Sequence, residues 1–77
     1  MVSLELYGTA RCPYTLEMRE WLEWKGKDFT EYDVEHDPEA RQRLQQIVKP
    51  PFTVPVLVEN GKIIEVGWHG RTCSLET

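Results

Sequence analysis

One cysteine, Cys12, lies where the local sequence favours a reactive thiolate. It follows the apolar segment 4–7 and precedes Pro13, whose missing N–H is tolerated in the first turn of a helix. The unpaired N–H groups at a helix N-terminus stabilise negative charge, and the neighbouring Arg11 adds a positive charge. Both effects lower the pKa of a thiol below the ~8.5 of a free cysteine. We therefore expect Cys12 to be a nucleophile at neutral pH.

The second sulfur of a redox pair is missing from this motif. Cys12-Pro13-Tyr14-Thr15 has the form of a Cys-x-x-Cys redox motif in which threonine replaces the second cysteine. The other cysteine of the chain, Cys73, is close to the C-terminus. It either attacks a mixed disulfide on Cys12 or is a free thiol in a tail. No closely spaced pair of cysteine and histidine ligands is present, so we expect no metal site.

Composition excludes several classes of function. The 77 residues carry a net charge of −4 with scattered basic residues, which argues against nucleic acid as a partner. No apolar segment approaches the ~20 residues of a membrane span. The N-terminus has no basic region followed by an apolar segment, so the sequence predicts no secretory signal. We expect a single cytoplasmic domain over residues 1–77, with no membrane partner.

The sequence pattern predicts the strands and helices that position Cys12. A strand precedes the cysteine, a helix begins at Pro13, and a second helix begins at Pro38 after the capping residue Asp37. Asn60-Gly61 predicts a two-residue hairpin. Residues 72–77 form one helical turn or a tail. The order predicts three parallel strands and one antiparallel strand covered by helices, the strands being residues 3–7, 28–34, 54–58 and 62–66.

This order of elements, with Cys12-Pro13-Tyr14 at the first turn and Thr53-Val54-Pro55 before the third strand, resembles the glutaredoxins over nearly the whole chain. The resemblance implies an α/β, thioredoxin-like fold. Its four-stranded mixed sheet has the order 2-1-3-4 with strand 4 antiparallel, flanking helices and a truncated C-terminal helix. The resemblance also implies a cis peptide bond before Pro55, next to Cys12.

The resemblance implies a thiol-disulfide oxidoreductase. Its nucleophile is Cys12, its substrates are glutathione mixed disulfides or protein disulfides, and Cys73 is the candidate resolving cysteine. Glutathione or another small thiol is the co-substrate, no cofactor is tightly bound, and the protein is a monomer. The implied substrate-binding residues are Arg11, Tyr14, Thr15, Thr53, Val54, Pro55, Gly67, Trp68 and Arg71.

The roles of several of these residues stay open. Thr53, Val54 and Pro55 correspond to the segment that holds the cysteinyl part of glutathione through its backbone. Tyr14 is a platform beside the sulfur or an acid, and the Thr15 hydroxyl donates to the Cys12 thiolate or bonds to backbone. The segment 67–72 lacks the carboxylate of the family's Gly-Gly-x-Asp loop, so Arg71 is a candidate partner for a glutathione carboxylate.

Other functions compete with this interpretation. An iron-sulfur carrier would ligate its cluster with Cys12 and glutathione in a dimer, although Pro13 departs from the usual glycine of that branch. A thiol or selenol peroxidase is suggested by a likeness to a small group of bacterial selenoproteins, in which selenocysteine takes the place of Cys12. A domain that kept the fold and lost the reaction is the third alternative.

Overall fold

A computed structural model describes residues 3–75, which form two sheets and two helices. The helices are α1 (Pro13–Trp24) and α2 (Pro38–Ile47). The strands are β1 (Leu4–Gly8), β2 (Phe29–Asp33), β3 (Thr53–Val54), β4 (Val56–Glu59), β5 (Lys62–Val66) and β6 (Cys73–Ser74). Among the described residues, no helix is both long and apolar enough to cross a membrane.

The main sheet has the order β2-β1-β4-β5, which confirms the predicted order 2-1-3-4. β5 pairs antiparallel with β4. The predicted third strand is β4, and it pairs antiparallel with β1, so the expectation that it is parallel is wrong. The reason lies in the connection from α2. Residues 48–55 extend over as much as about 26–29 Å and bring Val56 opposite Tyr7, near the C-terminal end of β1. From there the third strand runs back along β1.

The predicted third strand, 54–58, is interrupted at Pro55. Proline has no N–H to donate to a ladder, and the residues on its two sides belong to different sheets, β3 and β4. The truncated final helix is not formed in residues 72–75. Cys73–Ser74 form β6 instead, and the Leu75 N–H donates to the Phe52 carbonyl at 2.9 Å, so these backbone groups are paired with β3. The rest of that prediction, residues 76–77, lies outside the described residues.

Both helices begin where the sequence predicts. The Asp37 carboxylate accepts hydrogen bonds from the N–H groups of Glu39 and Ala40, at 3.1 and 3.4 Å, and Pro38 is the first helical residue of α2. Cys12 is the N-cap of α1, and its side chain makes no capping hydrogen bond. The sulfur therefore lies at the positive end of α1 without bonding to the helix backbone.

Two tight turns direct the C-terminal third of the chain. Asn60 and Gly61 have φ values of 50° and 82°, the positive pair of the predicted type I′ hairpin. His69 and Gly70 have φ values of 52° and 78° between Trp68 and Arg71, whose backbones bond to each other at 2.8 and 2.9 Å. From the sequence, this second turn is predicted only as a loop. It reverses the chain and leads it from β5 into β6.

The described core consists of two groups of buried side chains, of which the first includes Cys12. The first group is Tyr7, Cys12, Val34, Ala40, Leu44, Val54, Val56 and Val58. The second group is Leu4, Leu6, Met18, Leu22 and Leu57. Neighbouring residues of β1 contribute to different groups, as expected when successive side chains of a strand point to opposite faces. The Cys12 site is thus built on the side of the sheet that α2 covers.

Candidate active site

The two cysteines of the chain are joined by a disulfide. The S–S distance between Cys12 and Cys73 is 2.10 Å and their Cα atoms are 6.0 Å apart. Cys12 is only 2% exposed, whereas Cys73 is half-buried. Of the two alternatives for Cys73, the structure thus shows the one that brings it to Cys12. Its role in resolving a mixed disulfide stays a prediction.

Backbone pairing positions Cys73. In the antiparallel pairing of β3 with β6, Cys73 is opposite Val54 and Ser74 is opposite Thr53. In an antiparallel pairing, every second pair of opposite residues exchanges both backbone hydrogen bonds. If Thr53 and Ser74 were such a pair, the next one would include Pro55, which has no N–H. Val54 and Cys73 are therefore the pair that exchanges both hydrogen bonds. The backbone of Val54, predicted to hold glutathione, is therefore occupied by the C-terminal end of the described chain.

The bond between Val54 and Pro55 is cis, as the resemblance implies, and both residues are buried. The Gly67 N–H donates to the Pro55 carbonyl at 2.7 Å. Gly67 has a φ of 87°, and a Cβ there would come within 2.7 Å of Thr72 Cγ2 and 2.8 Å of the Arg71 carbonyl oxygen. Only glycine meets both constraints. Gly67 thus fixes the loop beside the cis proline, while its predicted contact with substrate stays a prediction.

A pocket of about 460 Å³ opens at the disulfide. Cys73, Ser74 and Leu75 contribute to its lining, and so do the charged residues Arg11, Glu35 and Arg41. Glu35, Arg41, Ser74 and Leu75 were not among the site residues predicted from the sequence. Glu35 follows the end of β2, and the carboxyl ends of neighbouring parallel strands meet at one edge of a sheet. That adjacency was a usable signal for Glu35.

Arg11 forms an ion pair with Glu35. The Arg11 Nε donates to Glu35 Oε1 at 3.3 Å, and a guanidinium Nη2 contacts the other carboxylate oxygen. The Arg11 side chain is 82% exposed. An exposed, paired guanidinium has little effect on a neighbouring thiol. The helix N-terminus, rather than Arg11, is therefore the main source of stabilisation for a Cys12 thiolate.

The turn that carries Glu35 is held by Asp33. Its carboxylate accepts from the Glu35 N–H at 3.0 Å and bonds to His36 Nδ1 at 2.8 Å. Burial alone would raise the pKa of Asp33, but the hydrogen bonds from His36 and Glu35 outweigh it and lower that pKa. The same hydrogen bond, together with the negative charge of Asp33, raises the pKa of His36. Asp33 thus stays ionised and fixes the position of Glu35 next to Arg11.

Tyr14 and Thr15 lie on the first turn of α1. Tyr14 is half-buried and packs against the first core group, a position compatible with the platform role. Thr15 is 1% exposed, and its Oγ1 has no hydrogen-bond partner among the residues that the structure describes. A Cβ on Gly8 would come within 2.2 Å of Thr15 Cγ2, so the absence of a side chain at Gly8 makes room for the threonine.

Replacement of Thr15 by valine is expected to stabilise the oxidised protein. The change removes a buried unpaired hydroxyl and preserves the shape, which is worth about 1–2 kcal/mol in the free energy of unfolding. Urea denaturation without reductant measures it. Thr15→Ser, which keeps the hydroxyl and loses the methyl group, is the matched control and should be destabilised. A loss of stability in Thr15→Val would mean that the hydroxyl is hydrogen-bonded in solution.

The structure does not bring Trp68 and Arg71 into the lining of the pocket at the disulfide. Trp68 packs against the second core group, with its ring centroid 5.7 Å from that of Trp21. It lines a different pocket, of about 440 Å³, which includes Met18 and Leu57. The Arg71 side chain is exposed. Neither residue lines the pocket at the disulfide, and the substrate contacts predicted for them stay predictions.

Sequence comparison relates the chain to one family. The glutaredoxin family profile matches residues 4–64. A probable glutaredoxin of Synechocystis sp. is 33% identical over 57 residues, which are 74% of this chain and 52% of that protein, so the chain spans about half the length of this relative. An uncharacterised glutaredoxin-like 8.6 kDa protein of Clostridium pasteurianum, encoded in a rubredoxin operon, is 32% identical over 66 residues, 86% of this chain and 85% of that one.

Solved structures confirm the fold. A crystal structure of a mutant of the thioredoxin-like protein BC3987 aligns with a TM-score of 0.75 at 27% identity, over 86% of this chain and 82% of the other. A glutaredoxin from Archaeoglobus fulgidus aligns with a TM-score of 0.70 at 23% identity, over 90% and 78%. The α/β, thioredoxin-like fold that the resemblance implied is therefore correct. With the family profile covering most of its length, this chain belongs to the glutaredoxin family.

Proposed function

We propose that the protein is a thiol-disulfide oxidoreductase in which Cys12 attacks the substrate and Cys73 resolves the resulting mixed disulfide. The observation that carries this proposal is the disulfide between Cys12 and Cys73, which spans 61 positions of sequence and borders a pocket. Such a bond is the expected product of a two-cysteine mechanism. It gives the chain a redox pair even though Thr15 replaces the usual second cysteine.

The reaction follows from thiol-disulfide exchange. The Cys12 thiolate attacks one sulfur of a substrate R–S–S–R′ and forms a mixed disulfide, while R′–S⁻ leaves and takes up a proton. The Cys73 thiolate then attacks the Cys12 sulfur, forms the intramolecular disulfide and releases R–S⁻. The substrate gains two electrons and the protein loses two. Two molecules of glutathione return the protein to the dithiol and become glutathione disulfide.

The position of each cysteine supports its role. Cys12 is the N-cap of α1, where the helix dipole stabilises a thiolate. A thiolate stabilised in this way is a good nucleophile near neutral pH and a good leaving group when the intramolecular disulfide is reduced. Cys73 is on the two-residue strand β6 and is not itself the N-cap of a helix. The asymmetry favours Cys12 as the attacking residue.

We propose glutathione mixed disulfides and protein disulfides as the substrates, and glutathione as co-substrate without a tightly bound cofactor. Family membership and the pocket at the disulfide support this assignment. A reversible dithiol needs a reducing compartment, and we propose the cytoplasm.

Trapping of the intermediates tests the proposal. Reduced protein is mixed with one equivalent of a glutathionylated peptide, quenched with acid, alkylated and mapped by mass spectrometry. Wild type should yield the Cys12–Cys73 linkage, and Cys73→Ser should stop at a mixed disulfide on Cys12. Cys12→Ser is the control and should show no adduct. Wild type without the linkage, or an adduct that requires Cys73 rather than Cys12, would contradict the proposal.

A further inference from the structure

We propose that the C-terminal segment, Cys73–Leu75, occupies the peptide-binding edge of β3 and competes there with the substrate. This inference rests on the proposed function and concerns how access to Cys12 is controlled. An edge strand with free N–H and C=O groups binds an extended peptide by strand addition. In this structure the bound peptide is the chain's own C-terminal segment.

The backbone contacts of the segment are those of a bound peptide. Cys73 exchanges hydrogen bonds with Val54, as the register requires, and the Leu75 N–H donates to the Phe52 carbonyl at 2.9 Å. The pairing is antiparallel and ends at Pro55, which has no N–H to offer. A substrate peptide that is to place a cysteine against Cys12 needs the same Val54 backbone groups.

Side chains hold the segment as well. Cys73 and Leu75 are partly buried and pack against the first core group, which contains Cys12 and Val54. Ser74, between them, is exposed, so the segment presents alternate side chains to the protein as a paired strand does. It is therefore anchored in three ways, by the disulfide, by backbone hydrogen bonds and by apolar contact.

Reduction removes only the first of these anchors. The backbone bonds and the Leu75 contact remain available in the dithiol form, so the segment continues to populate the closed position. The apparent affinity for a substrate falls by the fraction of molecules in which the segment is open. The same pairing keeps Cys73 close to Cys12 and speeds resolution. The segment thus lowers the affinity for substrate and speeds formation of the intramolecular disulfide.

Substitution of Leu75 tests the proposal in a background without the disulfide. Cys73→Ser/Leu75→Pro removes the N–H that bonds to Phe52, and Cys73→Ser/Leu75→Asp removes the apolar contact. With a glutathionylated peptide as substrate and glutathione as reductant, each double variant should show a KM about fivefold lower than Cys73→Ser, with kcat unchanged, because the loss of one hydrogen bond or of one partly buried apolar contact changes an equilibrium by about that factor. An unchanged or higher KM in both double variants would overturn the proposal.

A matched control and a second measurement keep this test independent of activity. Cys73→Ser/Trp24→Ala removes an apolar side chain that is 79% exposed at the other end of α1 and should leave KM as in Cys73→Ser. Amide hydrogen exchange follows the segment without turnover. The Val54 N–H should exchange slowly in Cys73→Ser and severalfold faster in both Leu75 double variants. Equal exchange rates would overturn the proposal, whereas absent turnover in wild type would contradict only the proposed function.

Discussion

Replacement of Cys12 by serine should abolish turnover of both substrate classes, with a loss of about 10³-fold or more. A serine hydroxyl is not ionised at neutral pH, and the helix N-terminus that stabilises a thiolate cannot make it a comparable nucleophile. Deglutathionylation of a peptide, followed at a fixed glutathione concentration, measures the effect. Residual activity above a tenth of the wild-type value would show that another group carries out the first attack.

The Cys73→Ser variant should separate the two half-reactions. Glutathione can replace Cys73 in attacking the mixed disulfide on Cys12, so deglutathionylation should continue. Reduction of a protein disulfide by the two-cysteine route should be lost, because the resolving thiol is missing. Assay of both substrates on the same preparation compares the two. Equal activity of Cys73→Ser and wild type on a protein disulfide would contradict the resolving role of Cys73.

The sequence predicted the features of this site that depend on local chemistry. Pro13 placed Cys12 at a helix start, and Asp37-Pro38 did the same for the second helix, because the rules for helix N-termini involve only neighbouring residues. The Asn60-Gly61 hairpin is equally local. The order of the four strands and the cis bond before Pro55 came from the resemblance to a family rather than from pattern alone.

The features that sequence reasoning missed depend on contacts between distant residues. The pairing of β3 with β6 joins residues about twenty positions apart, and each strand has only two residues, too few to show a period. The direction of β4 depends on where the segment after α2 returns to the sheet. The resemblance implied a substrate contact for Trp68, which stays a prediction, but the packing of its large apolar ring against the second core group was not predicted.

Reduction of the Cys12–Cys73 disulfide should lower the free energy of unfolding by about 2–4 kcal/mol. The bond closes a loop of 61 positions, and constraint of the unfolded chain grows with loop length. A domain of this size has a small core, so the loss is a large share of its total stability. The thermal midpoint should fall by roughly 10–30 °C. Unfolding with and without reductant measures both quantities.

The Cys73→Ser variant is the control for this change, since it should unfold like reduced wild type and should not respond to reductant. Coincident unfolding curves for oxidised and reduced wild type would contradict the prediction. Folding and disulfide formation also form a closed thermodynamic cycle. The increase in the free energy of unfolding that the disulfide causes must therefore equal a second difference. That difference is between the free energies of disulfide formation in the folded and in the unfolded chain. Equilibration with glutathione redox buffers, with and without denaturant, measures that difference independently, and the two values should agree.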